Sequence, residues 1–197
     1  MSLRSPMATV LSVERFVPPY RYDQETVTRW VREWLAESDD PNALRLLPVY
    51  AAAGVASRAS VLPIEEVFFP GDFETQNDRY GEKSREAAVA LARGALSAAG
   101  LAARDIDLIV SVSCTGFMIP ALDAYVADAL GMGPRLVRLP ITESGCAGGV
   151  VGLARAADHL AAHPERAALL LAVELSSLTF QRWDRSATNV VSSAIFG

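Results

Sequence analysis

The segment Glu143-Ser144-Gly145-Cys146-Ala147-Gly148-Gly149-Val150-Val151-Gly152 constrains this chain more than any other. It follows residues Leu136 to Ile141, which alternate and carry β-formers. It leads into Val150, Leu153, Ala154, Ala157 and Leu160, which recur at helical spacing toward His163-Pro164. The spacing predicts a strand, a turn holding Cys146, and a helix built from very small residues. A glycine inside a helix costs about 1 kcal/mol against alanine. Gly148, Gly149 and Gly152 therefore need a reason, such as close backbone approach or tight helix packing. At such a turn a thiol meets the unpaired amides and positive dipole end of the first helical turn, which stabilise a thiolate and can hold an oxyanion. From these residues alone, a small cysteine buried in a Gly/Ala helix is an equally good reading, since free cysteine is commonly buried.

The rest of the chain alternates strands and helices. Residues up to Tyr22 read as a strand ending at Pro18-Pro19. Gln24 to Ala36 reads as a helix with Val27, Trp30, Val31 and Trp34 at helical spacing, capped by Asp23. A second helix is expected over Asn42 to Ala56, and a loop from Phe68-Phe69-Pro70-Gly71 to Tyr80. Ser84 to Ala99 predicts a helix stopped by Gly100, and Asp107 to Ser113 a strand apolar enough to be buried on both faces. Helix Leu122 to Leu130 and strand Ala167 to Glu174 continue the pattern. This alternation means an α/β sheet, and with no repeat or linker the 197 residues read as one domain.

Composition excludes several classes. With 51% hydrophobic and 21% charged residues the chain can bury a sizeable core. A net charge of -5 without a basic run argues against nucleic acid or an anionic membrane surface as partner. The longest apolar stretch, Ala167 to Val173, is far short of the roughly 20 residues that a membrane helix needs. Two cysteines make no disulfide framework, so a reducing cytoplasm is the default location. No Cys or His cluster has metal spacing, and the glycines at 145, 148, 149 and 152 do not form a dinucleotide fingerprint.

Three further motifs lie in order around the cysteine: Cys114-Thr115-Gly116-Phe117-Met118-Ile119-Pro120-Ala121-Leu122-Asp123, Val173-Glu174-Leu175-Ser176-Ser177-Leu178-Thr179-Phe180-Gln181-Arg182, and Asn189-Val190-Val191-Ser192-Ser193-Ala194-Ile195-Phe196-Gly197. Together they resemble the type III polyketide synthases, a family that includes the chalcone synthases. The resemblance runs from about Arg79 to Gly197. The direct run of Cys146 into Ala147-Gly148-Gly149 is similar to the bacterial alkylresorcinol and alkylpyrone synthase branch.

The resemblance implies the N-terminal half of a thiolase-like fold with αβαβα layers, with Cys146 as nucleophile at the head of a buried central helix. It places Cys114, Thr115 and Thr179 in the active-site cavity, and Phe196 at the junction of that cavity with the CoA tunnel. Phe117 and Ile119 would border the partner subunit's cavity in a homodimer, and Arg58 falls near a CoA-contacting segment. The implied reaction loads an acyl-CoA on Cys146, extends it by decarboxylative condensation with malonyl-CoA and cyclises it to an alkylpyrone or alkylresorcinol, with CoA thioesters as substrates and no cofactor. The family's catalytic His and Asn belong to a second half. The two histidines here, His159 and His163, follow Cys146 by 13 and 17 residues on or just beyond one helix, roughly 20 and 25 Å away at 1.5 Å per residue. A base must sit about 3 Å from its thiol, so the sequence holds a nucleophile without its base and reads as one half of an enzyme. Two other readings are a ketoacyl synthase III or hydroxymethylglutaryl-CoA synthase-like enzyme, and a non-catalytic stand-alone half.

Overall fold

The computed structural model describes residues 8–40 and 42–195. Its elements are β1 (Tyr20–Asp23), α1 (Gln24–Ala36), α2 (Pro48–Ala52), β2 (Ser57–Ser60), α3 (Ile64–Phe68), α4 (Phe73–Ala99), β3 (Ile106–Ser113), α5 (Leu122–Leu130), β4 (Val137–Thr142), α6 (Gly148–Ala162), β5 (Ala167–Ala172) and α7 (Ala187–Ile195). The described residues fall into two compact units, one of residues 8–16 and 81–174, the other of residues 17–80 and 175–195.

The first unit is built on a parallel sheet in the order β4-β3-β5. Central β3 is buried along almost its whole length, covered on both faces. Leu108, Val110 and Val112 point to one face and form a core with Ala156 of α6, supported by Leu139, Ile141, Ala168 and Leu170. On the other face Ser111 Oγ donates to the buried carboxylate of Asp123 at the head of α5, and Arg138 of β4 pairs with the same carboxylate. Pro140 has no N–H to donate and lies in the edge strand β4, where that lack is tolerated.

Two of the three glycines of α6 are explained by this packing. A Cβ on Gly148 would stand 2.5 Å from Val112 Cγ1, and one on Gly152 would stand 2.7 Å from Leu170 Cδ1 and 3.2 Å from Val112 Cγ2. The helix lies so close to the sheet that only hydrogen fits. Gly149 has nothing within 4 Å, so the sheet gives no account of it.

In the second unit β1 and β2 form an antiparallel ladder from Tyr20↔Ser60 to Asp23↔Ser57. Asp23 caps α1, its carboxylate accepting from the Thr26 amide at 2.7 Å. The inner face of α1, with Val27, Val31, Trp34 and Leu35, packs with Tyr50, Phe68, Phe180, Val190 and Ala194. Trp34 meets Phe180 edge-on at 4.8 Å between centroids, and its indole N–H donates to the Arg182 carbonyl at 2.7 Å.

Helices α1 and α5 have the expected bounds. Among the described residues the strand expected to end at Pro18-Pro19 does not form: pairing starts only at Tyr20, after two residues that cannot donate. The helix expected over Asn42 to Ala56 is split into a 3-10 turn, Ala43–Leu46, and α2, which opens at Pro48 and stops before Gly54 at φ +68°. The expected loop up to Tyr80 gives way to the first turns of α4, because Asp72 accepts from the Thr75 amide at 2.8 Å and starts the helix there. No helix of the described residues is long and apolar enough to cross a membrane.

Candidate active site

The first unit gathers its chemistry beyond the C-terminal ends of the three parallel strands, where open α/β sheets place ligands. Ser113 ends β3 and precedes Cys114. Thr142 ends β4, and Cys146 follows four residues later. Ala172 ends β5 just before Glu174.

Between β4 and α6 the chain reverses tightly. Glu143 adopts φ +61°, uncommon for a residue with a Cβ, and Gly145 adopts φ +53°. Cys146 sits in the 3-10 turn Gly145–Ala147 that runs directly into α6, and its side chain is exposed. No side chain caps α6, and its first turn holds no acidic residue. The Gly148 amide is taken by the Gly145 carbonyl of the 3-10 turn, so the positive end of the helical segment lies at the turn that holds Cys146.

Cys114 is also free and exposed. Carrying the β3–β5 register two residues beyond Val112↔Ala172 brings Cys114 level with Glu174, whose two carboxylate oxygens accept the Cys114 backbone N–H at 3.0 and 3.2 Å. Partial desolvation, followed by the charge and hydrogen bonding of Glu174 and the charge of Cys146, pushes the Cys114 thiol up from its ordinary value. Glu174 was not singled out from sequence, because its contact spans 60 positions and is made only by the sheet register.

Thr115 is half-buried just beyond Cys114. Phe117 is 65% exposed and Ile119 is 99% exposed, in the segment between β3 and α5. Thr179 lies in the second unit after the 3-10 turn Ser176–Leu178 and donates its hydroxyl to the Ser176 carbonyl at 2.8 Å. Phe196 lies outside the described residues. Arg58, expected near a CoA-contacting segment, is only 9% exposed, and its guanidinium donates to Gln24 Oε1 and to the Ser193 and Ala194 carbonyls at the end of α7. His159 and His163 stand at the far end of α6, their rings 4.8 Å apart, so neither serves Cys146 as base. Among the described residues no group of three His, Cys, Asp or Glu could hold a metal ion.

This arrangement presents one exposed thiol at the head of a helical segment and a second whose backbone amide is held by a carboxylate. Known proteins share its frame. The 1,3,6,8-tetrahydroxynaphthalene synthase of Streptomyces peucetius subsp. caesius is 42% identical over 189 residues, covering 96% of this chain and 50% of that protein. The α-pyrone synthesis polyketide synthase-like Pks18 of Mycobacterium tuberculosis is 30% identical over 165 residues, covering 80% of this chain and 42% of that protein. The crystal structure of 1,3,6,8-tetrahydroxynaphthalene synthase from Streptomyces coelicolor A3(2), a bacterial type III polyketide synthase, superposes with a TM-score of 0.85 at 34% identity, covering 92% of this chain and 52% of that one. The α/β thiolase-like fold is thereby shown, and the chain spans about half the length of the curated relatives it matches. Residues 73–197 match the N-terminal domain of the chalcone and stilbene synthases, and the chain belongs to that family.

Proposed function

We propose that, within an enzyme of its relatives' full length, this chain carries the nucleophile of a type III polyketide synthase. The observation that carries the reading is Cys146, exposed at the strained turn between β4 and the uncapped head of α6. The Cys146 thiolate attacks the carbonyl of an acyl-CoA, a C–S bond forms, and the CoA thiolate leaves and takes up a proton. The positive end of the helical segment that begins at Gly145 favours the oxyanion of that step. Decarboxylation of malonyl-CoA leaves an enolate whose carbon attacks the Cys146 thioester. A C–C bond forms, the bond to Cys146 breaks, and the thiol is free to be reloaded. The second half supplies the base, and no further cofactor enters. The family resemblance assigns Cys114, Thr115 and Thr179 to the substrate cavity of such an enzyme and Phe196 to the junction of cavity and CoA tunnel. The exposed Phe117 and Ile119 suit an interface with a second subunit.

Two product classes are in play. The short Cys146-Ala147-Gly148-Gly149 form and the α-pyrone relative favour an alkylpyrone or alkylresorcinol grown from a fatty acyl starter. The higher identity to a synthase whose named product, tetrahydroxynaphthalene, bears no alkyl chain favours a polyhydroxylated aromatic, and this is the reading we adopt.

Peptide mass spectrometry of the full-length enzyme after acyl-CoA treatment tests the nucleophile. An acyl adduct is expected on the Cys146 peptide and is lost in Cys146→Ala; an adduct of equal yield in that variant overturns the assignment. Product formation from malonyl-CoA alone supports the aromatic class, and strict dependence on octanoyl- or palmitoyl-CoA supports the alkyl class.

A further inference from the structure

Among the described residues Asp123 is the one acidic side chain that is buried, at 0% exposed. Taking a carboxylate out of water is costly, and apolar residues of similar volume often serve stability as well as a buried ion pair does. Stability alone therefore gives no account of Asp123, whereas its partners do. Its two oxygens are divided between two strands: Oδ1 accepts from Ser111 Oγ of β3 at 3.1 Å, and Oδ2 accepts from Arg138 Nε of β4. Arg138 stands opposite Ile109 and Pro140 opposite Ser111, so both donors lie on the sheet face that α5 covers, away from the Leu108, Val110 and Val112 face that meets α6. The carboxylate thereby closes the base of a connection. β3 ends at Ser113, α5 starts at Leu122, and residues 114–121 run between them.

We propose that Asp123 is a positioning residue that holds the 114–121 connection at a fixed place relative to the strand delivering Cys146, so that an acyl-CoA meets a preformed wall beside the thiol. For its substrate this rests on the polyketide synthase reading, and for its geometry on the buried carboxylate. The connection carries Thr115, half-buried just beyond the strand end, and the exposed Phe117 and Ile119. The Ser111 bond ties its two ends together, and the Arg138 bond ties both to β4, whose last residue, Thr142, stands four residues before Cys146. Apolar contact would hold α5 on the sheet but is non-directional, and α5 could slide along it. Hydrogen bonds from two strands to two different oxygens fix both its height and its rotation. The Arg138 side chain is 41% exposed, so its charge can turn to water when the pair is cut, and the pair is open to mutation without stranding a buried cation.

The test is backbone hydrogen exchange of the full-length protein, read by peptide mass spectrometry, beside steady-state kinetics with malonyl-CoA. Ser111→Ala cuts the tie at the base of the connection and leaves the Arg138 pair in place. Asp123→Leu combined with Arg138→Met removes both ties, keeps apolar volume in the site and leaves no charge unpaired. In both proteins exchange over residues 114–121 is expected to rise by about tenfold, the factor that loss of one hydrogen bond to a charged group allows, while β5 and α6 keep wild-type rates. The KM for malonyl-CoA should rise several-fold. The rate of Cys146 alkylation by iodoacetamide should hold, because that thiol is set by its own turn. Exchange unmoved over 114–121 overturns the proposal, and so does exchange that rises equally in β5 and α6, the mark of a merely structural role. A KM that holds while the connection loosens also overturns it, as does Cys146 alkylation that falls in step with the rise in KM. Exchange and alkylation need no polyketide chemistry, so a wild-type protein that turns over no malonyl-CoA fails the synthase reading and leaves Asp123 judged by the exchange pattern.

Discussion

Arg58 carries a positive charge into a site where water cannot solvate it, and what surrounds it says why. Its guanidinium donates to the Ser193 carbonyl at 2.8 Å, to the Ala194 carbonyl and to Gln24 Oε1 at 3.1 Å, and it lies over the Tyr50 ring at 5.6 Å. Carbonyls in the last turn of a helix have no partners of their own and form its negative end, so a buried cation there satisfies both needs. Arg58→Ala is expected to destabilise the protein by about 1–3 kcal/mol, the range for stranding buried hydrogen-bond partners. Urea unfolding measures this, and the KM for acyl-CoA in the full-length enzyme should hold. A raised KM with unchanged stability would restore the CoA contact expected from sequence. The contrast with Cys146 shows which residues can be read from a chain. Cys146 was legible because strand, turn and helix lie within one local run. Arg58 and Glu174 were not, because their partners stand 135 and 60 positions away.

Among the elements, α6 makes the most demanding fit. Val112 is buried in the central strand, and a β-branched side chain there has little rotamer freedom to move aside. Gly148→Ala would drive a methyl to 2.5 Å from its Cγ1, and overpacking of this kind costs about 1–3 kcal/mol. Gly152→Ala meets Leu170 Cδ1, the far end of a more adaptable side chain, and should cost less. Gly149→Ala meets nothing within 4 Å and should gain up to about 1 kcal/mol of helix propensity in this chain. Urea midpoints in the order Gly149→Ala, Gly152→Ala, Gly148→Ala, from highest to lowest, are expected; equal midpoints would mean that α6 does not press on the sheet. The need for close approach was legible in the glycine count, but which glycines meet the sheet was not. The same limit explains the misread segments. The α1 and α5 helices have apolar spacing or a cap in the local sequence, whereas α2 and the start of α4 are set by single punctuating residues, Pro48 and Asp72, that competed with stronger neighbouring signals.

On the scale of the whole molecule, no histidine of the described residues stands near Cys146. Both histidines stand at the end of α6 opposite Cys146, and the chain spans about half the length of its relatives. The helix also leaves apolar residues uncovered, with Val150 71% exposed and Leu153 53% exposed on the surface that the sheet does not take. Apolar surface of this kind draws a partner or drives aggregation. Residues 1–197 alone are therefore expected to release no CoA from malonyl-CoA above the uncatalysed rate, and to bind a hydrophobic dye strongly or self-associate. Chromatographic assay of CoA release, with light scattering of the same sample, checks both. The full-length protein should turn over malonyl-CoA and lose most of the dye signal. Sustained turnover by residues 1–197 would mean that a thiol at the head of a helical segment suffices without a paired base. It would move the catalytic argument from the part of its relatives' length that this chain does not span to the turn that holds Cys146.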